Sequence, residues 1–372
     1  MKICFWGDVA GALRGKTNGG GELQIALLAK ALAISGHEVV IIDPFSNESF
    51  VTAEGVKLFS VPDFNKGYRG LRLFGYRLPA LWKIFREQKA DYYYIRMRFY
   101  LHLIPYFAAK RTGGKLIQAI ASDLDVLGSG IKFKYAYKAN FDLWDYLTVR
   151  LPSDLVFSYL LKKSDLVLLQ HSGQKVRSTS KNGKVVIFPN IINSRKPTIV
   201  GDVPGDYFIH VGTLSILKGA DKLYQLIKSL DRKHTFIIVG QPRDSKSKAI
   251  FKNLTEMENV VVKGRLDHNE TMQLISNAKA LINTSYYEGF PNIFLEAWSA
   301  GVPVISLKVN PGDIFNKFDL GICCEGDLEK MKVYMESDET IHFDRDKSIS
   351  YVCDFHDFNT AGERFFNIIN NA

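Results

Sequence analysis

Short apolar runs of strand length recur between helical stretches along the whole chain, and one loop-rich stretch divides them into two sets. In the first set, residues 2–7 read as a strand, 22–35 carry helical periodicity, and 38–42 return to strand. Further strand candidates are 56–60, 91–95, 115–120, 166–169 and 184–188. Residues 189–206, PNIINSRKPTIVGDVPGD, read as an interdomain linker, since Pro, Gly and Asp interrupt both periodicities. The alternation restarts with strands at 207–211, 234–239, 260–262, 280–283 and 302–306, separated by helices at 219–229, 270–277 and 292–300. Strands joined through helices run mostly parallel and are covered on both faces. The expectation is an α/β chain of two doubly wound domains, 1–195 and 196–357, facing across a cleft at the carboxyl ends of their strands. The amphipathic last segment, about 358–372, is expected to be a helix that packs back on the first domain.

Length and composition agree with this and exclude several classes. A chain of 372 residues is too long for one comfortable core. Its 46% hydrophobic and 23% charged residues suit a globular protein, not a disordered one. No stretch approaches 18 uninterrupted apolar residues, and the N-terminal apolar run meets glycines too early for a secretory signal. Cys4, Cys323, Cys324 and Cys353 lack metal or redox spacing and read as reduced thiols. The expected location is therefore cytoplasmic.

Three motifs carry chemistry. The loop after the first strand ends in Gly19-Gly20-Gly21 before a helix expected to open at Glu22, so backbone can approach a bulky anionic ligand. It matches neither a Walker A loop nor G-x-G-x-x-G, and a plain flexible turn explains it equally well. In VGTLSILKGADKL, residues 211–223, a glycine turn leads to Lys218 just before a helix. An ammonium there can reach phosphate oxygens held over the helix N-terminus, although a lone lysine is more often merely solvated. The third motif, NTSYYEGFPNIFLEAWSAGVPVIS, residues 283–306, puts Glu288 in a loop, Pro291 in the first turn of a helix, and Glu296 on its second turn. Gly301 and Pro303 then stop the helix. Two carboxylates beside a helix start can accept from several vicinal hydroxyls, as on a sugar and a ribose. The plainer reading, a glutamate favouring the helix dipole and another solvated, does not account for the whole string.

That string, with its E-x7-E spacing, resembles the retaining glycosyltransferases of family 4, which have the GT-B fold of two Rossmann-like domains. GGGELQIALLAKALAISGHEV, KKSDLVLLQHSGQKV, IFPNII, VGTLSILKGADKL and NVVVKGRLDHNETMQLISNAKALINTS follow the family's order, from about residue 3 to about 315. The resemblance implies sugar transfer from a nucleotide-sugar to a glycan or lipid-linked acceptor, with retained configuration and no metal or other cofactor. By position, Glu296 would bind the ribose, Glu288 would serve the transferred sugar as a catalytic group, and Lys218 would hold the diphosphate. Gly20 and Gly21 would help across the cleft, with Gly289, Phe290, Asn292 and Ile293 at the helix start. Residues 263–266 would line the base, with Arg265 a direct contact.

Two positions depart from the family. Its members usually carry G-R-L where this chain has Gly212-Thr213-Leu214, so one positive charge on the diphosphate is missing or comes from elsewhere; Arg14, Lys16 and Arg265 are candidates. Many members have a histidine where IASDLDVL stands, which puts Ser122 or Asp123 on the acceptor side, with Asp123 a candidate general base. Asp123 and Asp125 could equally cap a turn.

The charge is lopsided. Residues 1–180 hold 25 Lys and Arg against 15 Asp and Glu, while the rest nearly balances, so the basic surplus belongs to the first half. Between 63 and 115 there are 12 basic against 3 acidic residues, interleaved with Phe64, Tyr68, Phe74, Tyr76, Trp82, Phe85, Phe99 and Tyr100. A second run, KFKYAYK, spans 132–138. This composition suits peripheral contact with an anionic membrane, or else an ordinary basic surface over a core of aromatics. No motif supports nucleic-acid binding. Two other readings stand beside transfer: a sugar-nucleotide epimerase or hydrolase of the same fold, and a catalytically degenerate module that binds anionic lipid.

Overall fold

In β1 (Lys2–Trp6) successive side chains leave the sheet on opposite faces, and both faces are buried. Ile3 and Phe5 join one apolar cluster with Ile25, Leu28 and Leu32 of the helix Gly20–Ile34. Cys4 and Trp6 join another with Leu81 and Phe85 of the helix Leu78–Gln88. A strand buried on both faces needs helices on both, and the continuous apolar runs of the sequence have this cause. The computed structural model describes residues 1–16, 19–68, 71–127, 133, 141–175, 183–193, 205–230, 232–337 and 343–371.

The chain forms two compact units. One comprises Met1–Ala121, Asp142–Asn193 and Asp357–Ala372; the other comprises Ser122–Phe141 and Ser194–His356. The sequence expectation had given all of 1–195 to the first unit. Asp123 instead bonds into the second, where its backbone N–H donates to the Glu288 carbonyl at 3.0 Å.

The first unit is an eight-stranded sheet. Its other strands are β2 (Glu38–Asp43), β3 (Phe50–Val51), β4 (Lys57–Ser60), β5 (Tyr92–Arg96), β6 (Lys115–Ala119), β7 (Leu166–Leu169) and β8 (Lys184–Ile187). They lie in the order β3-β4-β2-β1-β5-β6-β7-β8. Every pairing is parallel except β3 with β4, a short edge hairpin that the sequence pattern did not reveal. The reversal of strand order at β1 marks a doubly wound sheet.

The second unit holds β9 (Tyr207–Val211), β10 (Thr235–Val239), β11 (Val260–Gly264), β12 (Ala280–Asn283), β13 (Val304–Ser306) and β14 (Gly321–Cys323). All pairings are parallel, in the order β11-β10-β9-β12-β13-β14. Phe208, Phe236, Ile238, Ala280 and Ile282 pack one face against Leu223, Leu226 and Ile227 of the helix Ala220–Ser229.

The last helix, Phe358–Asn370, packs on the helix Gly20–Ile34 of the first unit. Gly362 permits the approach, since a Cβ there would lie 2.7 Å from the carbonyl oxygen of Ala31. Phe365 is fully buried between the rings of Tyr94 and Phe188, at centroid distances of 6.4 and 5.4 Å. Phe365→Ala should therefore cost about 3–5 kcal/mol, read as a lowered denaturation midpoint in guanidinium. A change under about 1 kcal/mol would show that this helix is not integral to the first unit's core.

Candidate active site

The second unit's site is built on the loops that leave β9, β11 and β12. After β9 the chain turns at Gly212 and runs beside the segment after β10, with Leu214 N–H donating to Gln241 O at 3.0 Å. It then makes a tight turn into the helix Ala220–Ser229. Gly219 takes φ 69°, and a Cβ there would lie 1.8 Å from the Thr284 carbonyl oxygen, so only glycine fits. Gly219→Ala should thus destabilise the fold by about 3 kcal/mol or more, checked by thermal melts; an unchanged melt would overturn the close-approach argument.

The loop after β12 is laced to this turn. Thr284 Oγ1 donates to Gly219 O at 2.9 Å, Tyr286 N–H to Leu217 O at 3.1 Å, and Tyr286 OH to Asp221 Oδ2 at 2.9 Å. The lacing brings Lys218 and Glu288 together as an ion pair, Lys218 Nζ to Glu288 Oε1. Ser285 Oγ donates to the same carboxylate oxygen at 2.8 Å. Glu288 retains only 15% of its side-chain exposure against 38% for Lys218, so the carboxylate is fixed while the ammonium faces solvent. Within electrostatic reach of both lies His210 of β9, its Nδ1 3.2 Å from Ile282 O. Burial lowers its pKa to about 4, so the imidazole is neutral.

Glu296 stands on the second turn of the helix Asn292–Ser299, which Pro291 caps at its N-terminus. Desolvation raises its pKa to about 7. His268 Nδ1 lies 3.9 Å from Glu296 Oε1. His268 opens the helix His268–Ser276, started by the reciprocal Asp267–Glu270 capping box, and desolvation holds its pKa below the ordinary value. Arg265 is exposed in the turn just before, following Gly264 at φ 66°. Gly289 and Phe290 are buried, and Phe290 packs 4.9 Å from the His356 ring, which anchors the loop ahead of Asn292 and Ile293.

Asp123 joins the same unit through its backbone bond to Glu288. Ser122 and Asp125 form a capping box around Asp123–Asp125: Ser122 N–H donates to Asp125 Oδ2 at 2.9 Å, and Leu124 N–H to Ser122 Oγ at 3.3 Å. The Ser122 hydroxyl oxygen thus caps the turn. Thr213 is exposed beside the glycine turn.

Gly20 and Gly21 belong to the first unit. They are not loop residues, as the sequence suggested, but the first turn of the helix Gly20–Ile34, with Gly19 as its N-cap. Helical geometry tolerates glycine in a first turn, and at Gly21 a Cβ would sit 2.9 Å from Sδ of the flexible Met97 side chain, which packs against this turn. Arg14, a candidate for the missing cation, is paired with Glu48 and lies 4.3 Å over the Phe50 ring. Sequence reasoning missed His268, His210 and Ser285. The D-x-x-E pattern at 267–270 could have flagged His268 as a helix-start residue.

Comparison with known proteins bears on this geometry. Residues 197–331, the part that holds Lys218, Glu288 and Glu296, match the family "Glycosyl transferases group 1". An uncharacterized glycosyltransferase of Methanocaldococcus jannaschii is 25% identical over 177 residues, 42% of this chain and 43% of that protein. The match thus spans less than half of the relative's length. Among solved structures, sucrose-phosphate synthase of Thermosynechococcus elongatus superposes with a TM-score of 0.76 at 16% identity, covering 100% of this chain and 98% of the other. Anabaena HepE, solved with UDP and glucose, gives 0.70 at 15% identity with full coverage of both chains. The fold is the GT-B fold, two Rossmann-like α/β units with mostly parallel sheets.

Proposed function

We propose that this chain is a retaining glycosyltransferase of family 4 that moves a sugar from a nucleotide-sugar donor to a glycan or lipid-linked acceptor in surface polysaccharide or glycoconjugate synthesis. The observation that carries the reading is the Lys218–Glu288 pair held beside the helix that bears Glu296, within the segment similar to group 1 glycosyl transferases.

In this reading Lys218 turns from Glu288 to the donor diphosphate, and its charge stabilises the leaving group where it develops. The dipole of the helix Asn292–Ser299 adds positive potential, helped by Gly289, Phe290, Asn292 and Ile293 around its start. Positive charge from the protein then does the work that a metal does elsewhere. Glu288, released from the lysine and still oriented by Ser285, accepts hydrogen bonds from the sugar hydroxyls. Glu296 binds the ribose, and Arg265 lies on the side of the base. Asp123, tied to the Glu288 backbone, is the proposed base for the acceptor hydroxyl, with Ser122 on the acceptor side. Gly20 and Gly21 are assigned to the donor by the resemblance.

The test is transfer from labelled nucleotide-sugars, preceded by a thermal-shift panel to find the stabilising donor. Transfer with the anomeric configuration kept, read by NMR of the product, supports the reading. Donor hydrolysis or epimerisation without an acceptor would favour the same fold doing other chemistry.

A further inference from the structure

The basic aromatic stretch of the first unit divides in the fold. Phe64 and Phe85 are core, whereas Tyr68 is 86%, Leu71 72% and Phe74 71% exposed. The Tyr68 carbonyl accepts from Leu71 N–H at 3.1 Å, and Leu71 and Phe74 sit at the start of the helical stretch through Leu73–Arg77 and Leu78–Gln88. Its inner face buries Leu81 and Phe85 against β1 and β5, which fixes its orientation. Its outer face then presents Leu71 and Phe74, followed by Lys83 and Arg86, both exposed. Through the wider π turn at Leu73–Arg77, the exposed Leu71 and Phe74 fall on the same side as the exposed Lys83 and Arg86, apolar at the N-terminal end and cationic toward the other.

The local charges are one-sided. Among the described residues of 63–88, Lys66, Arg72, Arg77, Lys83 and Arg86 stand against Glu87 and Asp63, the latter 3.7 Å from the Lys66 ammonium. Arg77 lies 4.5 Å over the Phe64 ring, and Arg72 donates to the Gly67 carbonyl at 2.9 Å, so the turn is anchored. The same unit carries a second exposed apolar turn, Leu143, Trp144 and Leu147. Among the described residues its nearby charges are Asp142, Asp145 and an Arg150 already paired with Asp145, which give no cationic surplus to set against phosphate. The KFKYAYK run lies outside the described residues except for Phe133.

We propose that the face made by Tyr68, Leu71 and Phe74 with Lys66, Arg72, Lys83 and Arg86 docks the protein on the surface of an anionic phospholipid bilayer. Leu71 and Phe74 enter the boundary between headgroups and acyl chains, Tyr68 stays at headgroup level, and the cations meet lipid phosphates. Among the described residues no helix is long and apolar enough to cross a membrane, which fits attachment by a surface face. The docking is independent of the sugar chemistry proposed above.

The experiment is co-sedimentation of the full chain with phosphatidylcholine vesicles and with vesicles of equal parts phosphatidylcholine and phosphatidylglycerol. Binding should be selective for the anionic vesicles and fall with added salt. Leu71→Ser with Phe74→Ser should lower the partition coefficient about tenfold. Lys83→Gln with Arg86→Gln should lower it about 25-fold, near fivefold per charge. Both double variants alter exposed positions, and unchanged circular dichroism melts will show that they fold. Equal binding to neutral vesicles, or undiminished binding by either variant, overturns the proposal. So does self-association in solution that the Leu71 and Phe74 changes abolish without any vesicle binding, since the face would then cover a second copy.

Discussion

Replacing Glu296 by Gln should weaken the nucleotide-sugar about 10- to 100-fold while making the empty protein more stable above neutral pH. The two effects share one cause. Burial holds the carboxyl's pKa near 7 against an unfolded value near 4.5, so the folded protein keeps a proton that the unfolded chain has lost. For an acid raised in this way, the stabilising contribution is complete below about pH 4.5 and is lost as pH rises to about 7. Above that the carboxylate is ionised in a desolvated place, at a cost of at most about 3 kcal/mol. Glutamine avoids the cost but offers the ribose a neutral acceptor in place of a charged one, and charged hydrogen bonds contribute about 1.5–3 kcal/mol. His268 does not offset the charge, because desolvation keeps its own pKa low. Donor affinity should accordingly rise with pH up to about 7 and then level off in the wild type, and be flat in the variant. Calorimetric titrations across about pH 6 to 8, with melts of the empty protein, read both effects. A pH-independent wild-type affinity would remove Glu296 from the ribose.

The second large effect belongs to Lys218. Lys218→Ala should lower kcat/KM for the donor about 10²- to 10³-fold, the range for losing one group aimed at developing charge. The loss should fall mainly on kcat, because the cation matters most as the diphosphate departs. Melting should change little, since Lys218 is 38% exposed and an ion pair of such exposure adds little stability. Steady-state kinetics with the donor from the thermal-shift panel would decide. A variant with undiminished kcat would mean that Lys218 only holds Glu288 in the empty site.

Much of the fold was legible because strand burial writes itself directly into sequence. β7, β9 and β12 begin and end where their apolar runs do, since each is fully enclosed by helices or nearly so. The edge hairpin of β3 with β4 was not legible, because two residues carry no periodicity. Glycine runs also misled: Gly20 and Gly21 look like loop residues, yet Met97 packs where a side chain would stand. At the site, the string around Glu288 and Glu296 could be located from spacing and stop signals. The partnership of Glu288 with Lys218 could not, since 70 residues and three β-strands separate them. The raised pKa of Glu296 was equally hidden, because burial is a property of the packed helix and not of the motif.

The helix Phe358–Asn370 closes the core of a unit whose first strand is β1. The second unit is therefore an insertion in the chain of the first, and order of synthesis works against order of assembly. As the chain leaves the ribosome, the second unit has all its strands before the first has its last helix, and the hollow that Phe365 fills stays open meanwhile. A nascent chain halted at His356 would expose that apolar hollow to chaperones or to other chains. No single cut divides this protein into expressible halves, because the first unit is made of Met1–Ala121, Asp142–Asn193 and Asp357–Ala372 and any one break leaves a unit incomplete.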